Sequence, residues 1–189
     1  MFRNSSLKSP QYIDRCIVFG SACLAKHYAK LLGCATPVKA IQSPGKAKSG
    51  AIHVVDPHPV AVEEVPIGQV SALGGECAFR YVRAAIDCAL AGEVTSVVTA
   101  PLNKEALHLA GHRYAGHTEI FGEFTHGDSY AMLLWSKQLK AIHTSTHISL
   151  RDACDSLTKQ RIMDVIHLAD QTLKKTGYDA PRIAVAGLN

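Results

Sequence analysis

Short β-branched runs alternate with longer amphipathic ones along this chain, and that alternation limits the folds open to it. "CIVFG" (16–20) reads as a buried strand closed by glycine. "SACLAKHYAKLLG" (21–33) then repeats apolar residues at helical spacing up to a glycine stop. "PVKAI" and "AIHVVD" are expected strands, separated by "QSPGKAKSG", whose Pro, Gly and Ser mark a loop. The longest predicted helix is "IGQVSALGGECAFRYVRAAIDCALAGE" (67–93). Val70, Leu73, Cys77, Tyr81, Ala85 and Cys88 share one of its faces, while Gly74 and Gly75 weaken its first turn.

"VTSVVTAP" (94–101) is too short and too β-branched for a helix and is stopped by Pro101, so it predicts a strand. Asn103 is placed to cap a helix over "KEALHLAG" that stops at Gly111. "HTEIFGEFTHG" predicts a further short helix. "SYAMLLWS" and "KAIHTSTH" read as two strands joined near "KQ". "TKQRIMDVIHLADQTLKKTG" (158–177) is an amphipathic helix with two lysines at its negative dipole end, and "PRIAVAGLN" is a last buried strand. Strands and helices in this order imply an α/β protein, with layers packed around a largely parallel sheet.

Composition removes several function classes. A net charge of +4, scattered over 189 residues, does not make a nucleic-acid surface. No apolar run reaches the roughly 18–20 residues needed to span a bilayer, and "MFRNSSLKSP" lacks the apolar core of a signal peptide. The six cysteines, at 16, 23, 34, 77, 88 and 154, form no CxxC pair. They read as reduced thiols of a cytoplasmic protein rather than as a zinc site. A polar opening, and an end at Asn189 beside an expected strand terminus, suggest an internal piece of a longer protein.

Histidine is the residue type with most to explain. "AGHRYAGHTE" (110–119) holds His112 and His117, with His108 just upstream, and two of the three follow a glycine that lets backbone approach a ligand closely. In "HTSTH", His143 and His147 lie four apart in a stretch that favours a strand, where four residues span about 13 Å. Zinc–ligand bonds are about 2 Å, so at most one of the pair binds a given metal. His147, nearer the strand's carboxyl end, is the better ligand, and His143 is expected to be packed or hydrogen-bonded. Arg151 and Asp152 of "SLRD" read either as an anion contact and an orienting carboxylate or as a solvated loop ion pair. Lys104, near a helix start, reads either as an anion contact or as a solvent-exposed lysine. His27, His53, His58 and His167 show no partner pattern, and no Walker, GxGxxG or GxSxG motif is present.

Taken together, "VVTAPLNKEALHLAGHRYAGHTEIF", "AIHTSTHISLRD" and "PRIAVAGLN" resemble the 4-hydroxythreonine-4-phosphate dehydrogenase family. "IHVVD", "NKEALHLAGH" and "STHISLRD" are closer to its branch acting on D-threonate or D-erythronate 4-phosphate. The resemblance implies NAD-dependent oxidation of a secondary alcohol in a small phosphorylated hydroxy acid, followed by loss of CO₂. It implies a divalent metal (Zn, Mg or Co), a homodimer, and a fold like isocitrate and isopropylmalate dehydrogenases. His117 and Thr118 match the family's substrate-binding pair and His147 its first metal-binding histidine. His108 and His112 match no ligand position, and no catalytic residue is assigned.

The family's glycine-rich N-terminal segment and its later histidine motifs are missing from residues 1–189. The expectation is therefore an incomplete α/β dehydrogenase region that is inactive alone. The other reading is a non-catalytic remnant or partner-binding module that keeps part of the fold. A metal hydrolase is disfavoured, since no nucleophile or carboxylate ligand set accompanies the histidines.

Overall fold

The structure, a computed structural model, describes residues 14–127 and 129–187. The polar lead and the last two residues of "PRIAVAGLN" lie outside them. The chain divides into two compact units, Met1–Thr125 and His126–Asn189.

In the first unit, β1 (Ile17–Phe19), β2 (Val38–Ile41) and β3 (Ile52–Val55) form a parallel sheet in the order β1-β3-β2. β3 is therefore the central strand, and its Val54 is fully buried between Val18 and Ala40 in register. Helix α1 (Ala22–Leu31) connects β1 to β2 and starts where Ser21 Oγ accepts the Leu24 N–H at 3.2 Å. The connection from β2 to β3 has only a 3-10 turn, Pro44–Lys46.

Helix α2 (Ala72–Leu90) is shorter at both ends than its periodicity suggests. Ser71 caps it, its Oγ accepting the Gly74 N–H at 3.1 Å, so Val70 falls outside the helix and is exposed. Gly75, Cys77, Ala85 and Ile86 are its buried residues. α3 (Lys104–Leu109) and α4 (His117–Phe124) pack on it through the buried trio Ile86, Leu107 and Ile120, with Phe79, Phe121 and Phe124 around them. Each of the three contributes about 2 kcal/mol of apolar burial. The contact depends on Gly75. A Cβ there would overlap the Ala106 carbonyl of α3, so the two helices meet backbone against backbone at a residue that looked like a helix weakness.

The second unit contains an antiparallel pair, β4 (Leu133–Trp135) and β5 (Lys140–Ile142), and two helices, α5 (Leu150–Ser156) and α6 (Lys159–Lys175). α6 starts at Thr158, whose Oγ1 accepts the Arg161 N–H at 3.1 Å, and buries Val165 and Ala169. The structure is thus a mixed α/β protein with one parallel sheet and one antiparallel pair.

Three expectations change. "VTSVVTAP" is not a strand: residues 94–103 carry no regular structure, and Val98 is 93% exposed. Residues 181–187 are not a strand either, with Val185 exposed. Their β-branched composition is a strand preference that only pairing with a neighbour can realise, and no partner strand stands beside them among the described residues. "KAIHTSTH" is a strand only as far as Ile142.

Gly75→Ala tests the helix contact. Alanine is favoured over glycine inside a helix by about 1 kcal/mol. Overpacking against backbone costs roughly 1–3 kcal/mol. Urea denaturation should show a net loss of up to about 2 kcal/mol for Gly75→Ala. Gly74→Ala, whose Cβ would meet only the Ser71 hydroxyl at 3.2 Å, should lose less.

Candidate functional site

The "AGHRYAGHTE" stretch begins as the end of α3. Gly111 has φ +89°, a left-handed conformation that glycine adopts without steric cost. Its N–H donates to His108 O at 3.0 Å and the His112 N–H donates to Leu107 O at 2.9 Å. These two bonds close the helix and fix where His112 leaves it. The His112 ring then stacks on Phe79 of α2 with centroids 3.7 Å apart, and its Nε2 lies 2.7 Å from Glu76 Oε2. The other Glu76 oxygen takes the Arg80 Nε–H. Those contacts, Arg80 first and His112 second, hold the Glu76 carboxyl below its usual range. The His108 Nε2 lies 3.3 Å from Tyr114 O. Neither histidine is a free surface imidazole.

The segment ends in α4, whose first two residues are His117 and Thr118. Gly116, the residue before the helix, has no side chain, so no side chain caps the first-turn N–H groups. His117 is half-buried, and that burial holds its imidazole below the ordinary value of 6.5. At neutral pH it is the uncharged form, one donor and one acceptor. Glu119 follows, with a buried Oε2 that has no hydrogen-bond partner. Helix N–H groups without a side-chain cap, a hydroxyl and a neutral imidazole suit an anionic, hydroxylated ligand.

Lys104 is the first residue of α3 and is exposed. It forms no salt bridge among the described residues, and Asn103 Oδ1 already takes the Ala106 N–H at 2.9 Å. The surroundings are those of a solvent-exposed lysine.

In the second unit, His147 is not on a strand. It is exposed and has φ +60°, in the left-handed region that L residues other than glycine enter only at a cost. The 13 Å strand separation expected between His143 and His147 therefore does not apply, since β5 stops at Ile142. The backbone of this stretch is held instead by Arg161 of α6, whose guanidinium donates to Thr144 O at 2.8 Å and Tyr130 O at 3.0 Å.

"SLRD" is not a loop but the start of α5. Ser149 Oγ accepts the Asp152 N–H at 3.1 Å and donates to Asp152 Oδ2 at 2.7 Å. Asp152 thus orients the Ser149 cap two residues beyond His147, and the ion pair that was one of the two readings of Arg151 and Asp152 is absent among the described residues. Arg151 is exposed. The S-x-x-D spacing was the signal for this helix start.

Elsewhere in the first unit, a cleft of about 930 Å³ opens at the carboxyl ends of β2 and β3, between Lys26, Lys46, Ile41, Asp56 and Pro59. None of the residues picked from the sequence lines it. His53, which showed no pattern, is a buried structural acceptor: its Nε2 takes the Lys48 N–H at 3.2 Å.

Comparison with known proteins follows the same residues. The family described as "Pyridoxal phosphate biosynthetic protein PdxA" matches residues 12–189. The chain is 46% identical over 170 residues to the D-threonate 4-phosphate dehydrogenase of Salmonella typhimurium, covering 89% of this chain and 52% of that protein. The 4-hydroxythreonine-4-phosphate dehydrogenase from Burkholderia phymatum superposes with a TM-score of 0.81 at 34% identity, covering 96% of this chain and 56% of that one. The 4-hydroxythreonine-4-phosphate dehydrogenase from Klebsiella pneumoniae does so with a TM-score of 0.78 at 43% identity, over 92% and 53%. The chain spans about half the length of the curated relatives it matches.

Two outcomes are expected from the site geometry. Because burial lowers the His117 pKa, the unfolded chain binds its proton first as the medium is acidified. The stability this confers is complete above 6.5 and is lost as pH falls through the lowered folded value. His117→Gln should flatten the decline in folding free energy between about pH 7 and 5, read by urea melts at each pH. At His147, a left-handed backbone costs an L residue roughly 1 kcal/mol. His147→Gly should therefore match wild-type stability, and His147→Val should lose about 1–2 kcal/mol in the same melts.

Proposed function

The chain belongs to the PdxA family, and we propose that it forms the part of an NAD-dependent oxidoreductase that supplies one substrate-binding helix and one metal-binding histidine. The supporting observation is the 46% identity, across 89% of this chain, to a D-threonate 4-phosphate dehydrogenase. The match includes a helix start, His117–Thr118, whose N–H groups no side chain covers. The names of the relatives support a dehydrogenase role. The reaction proposed for the whole protein is oxidation of a 4-phosphorylated 3-hydroxy acid by NAD and loss of CO₂ from the β-keto acid. D-threonate or D-erythronate 4-phosphate is preferred to 4-phosphohydroxy-L-threonine. The proposed setting is a cytoplasmic homodimer with the isocitrate dehydrogenase-like fold. Among the described residues no helix is long and apolar enough to cross a membrane.

His117, kept neutral by burial, is suited to hydrogen-bond a substrate hydroxyl or carboxylate without adding charge. Thr118 adds a hydroxyl that rotates to donate or accept. The open N–H groups of α4 favour the anionic end of the same molecule. No binding role is proposed for Lys104, Arg151 or Asp152: all three are solvent-exposed, and Asp152 orients the Ser149 cap of α5.

A divalent cation of the implied kind (Zn, Mg or Co) would polarise the alcohol oxygen and stabilise the enolate left by decarboxylation. This chain fits only one position of such a site. No three His, Cys, Asp or Glu side chains gather among the described residues, while a catalytic zinc takes three protein ligands. His147 is proposed as one imidazole donor. No NAD contact is assigned to this chain, whose sequence lacks a dinucleotide fingerprint.

Two measurements check this reading. The 189-residue chain alone should reduce negligible NAD with D-threonate 4-phosphate, because one donor of several cannot hold the metal tightly. Joined to the part of the Salmonella relative that it does not cover, it should gain turnover. His117→Ala and His147→Ala should each lower kcat/KM at least tenfold in that chimera, the latter with loss of bound metal. Full activity in both variants would reject the residue roles, and no activity in a folded chimera would favour the non-catalytic remnant. A preference for 4-phosphohydroxy-L-threonine would move the chain to the amino-acid branch.

A further inference from the structure

Two histidines that the resemblance leaves without a role, His108 and His112, stand on the path from α3 to His117. The path is six residues long, Gly111 to Gly116, and it is tied at three points. The α3 closure at Gly111 sets the backbone of His112. Glu76 and Phe79, one helical turn apart on α2, grip the His112 ring by its Nε2 and by its face. Further along, the Tyr114 ring stacks on the same Phe79 with centroids 5.9 Å apart, and Tyr114 O lies against the His108 ring. Phe79 also meets Phe124 edge-on at 5.8 Å, and Arg83 lies over the outer face of Phe124 at 4.1 Å. Both ends of α4 therefore refer to one side chain of α2.

We infer that Glu76, Phe79 and His112 act as a positioning clamp, which transmits the fixed location of α2 to His117 and Thr118 at the head of α4. The inference rests on the reading of His117 as a substrate contact. Its geometry stands without that reading. Glu76 is ionised and accepts at both oxygens, so His112 donates from Nε2 whether its ring is neutral or protonated. Phe79 supplies the flat surface that sets the ring plane, and an ion pair without it would leave the imidazole free to rotate about its bond to Glu76.

The test uses the 189-residue chain, labelled with 15N-histidine, and follows ring nitrogen resonances against pH. In wild type, the His112 proton should sit on Nε2, facing Glu76, and His117 should titrate below 6.5 because it is desolvated. Glu76→Ala and His112→Ala should each move the His117 midpoint back toward 6.5, while far-UV circular dichroism stays native. His112→Gln places an amide donor where Nε2 was and should keep the wild-type His117 midpoint. A folded Glu76→Ala or His112→Ala protein with an unchanged His117 titration would overturn the inference. So would a His112→Gln protein that behaves like His112→Ala. Should Glu76→Ala not fold, the two His112 variants decide the question alone. The readout needs no substrate, so a moved His117 in a chimera that tolerates His117→Ala would reject the binding role and leave the clamp standing.

Discussion

The contact between Gly75 and the Ala106 carbonyl governs the arrangement of the first unit's site. Helix axes normally pack 8–10 Å apart because side chains hold them there, and a residue without a side chain removes that spacer. α3 is only six residues long, too short to be stable by its own hydrogen bonds. Its place comes from lying on α2, with Leu107 buried beneath it. Once α3 is set, the bond from the His112 N–H to Leu107 O sets the exit of the chain, and the Glu76 and Phe79 contacts carry that placement to α4. A missing methyl group on α2 thus propagates through about forty residues to the head of α4.

The three histidines of this region illustrate how one side-chain type is divided among tasks by its surroundings. His108 meets a carbonyl oxygen, His112 a carboxylate and an aromatic face, and His117 begins a helix and is desolvated there. Among the described residues His117 alone of the three has neither ring nitrogen engaged by the protein. Glu119, two residues on, has a buried oxygen in the same condition. A site for a polar molecule is where the protein has stopped satisfying its own polar groups, and these two residues mark it more clearly than the count of histidines does.

Much of this was legible along the chain because it depends on neighbours in sequence. Ser21, Ser71, Asn103 and Thr158 start helices by accepting an N–H three residues on. Gly33, Gly92, Gly111 and Gly177 end the same four helices with paired backbone bonds. The three strands of the parallel sheet were recognisable as short apolar runs, although the burial expected of β1 is found only in β3. What failed depends on distant partners. "VTSVVTAP" carries a strand's composition without a ladder, and Glu76 stands 36 residues from the histidine it holds. α5 was missed although Ser149 and Asp152 have the spacing of a capping pair. The conformation at His147 left no mark in the sequence. Its φ of +60° occurs at a residue type that, like Asn and Asp, is enriched there, yet nothing in its neighbours singles it out among the ten histidines.

The uncovered runs at 94–101 and 182–187 have a consequence for how molecules of this chain meet one another. Neither has regular structure, each contains β-branched residues, and each turns most of its residues to solvent, with Val98 and Val185 among the exposed apolar side chains. Native sheets blunt such edges with lysine, proline or bulges. In the first run only Pro101, at its very end, does so. Backbone N–H and C=O groups left open along a β-branched stretch offer a ready template to another strand, including the same stretch of a second molecule. Any association of the isolated chain through these two stretches would therefore grow with concentration, and would compete with whatever else covers them.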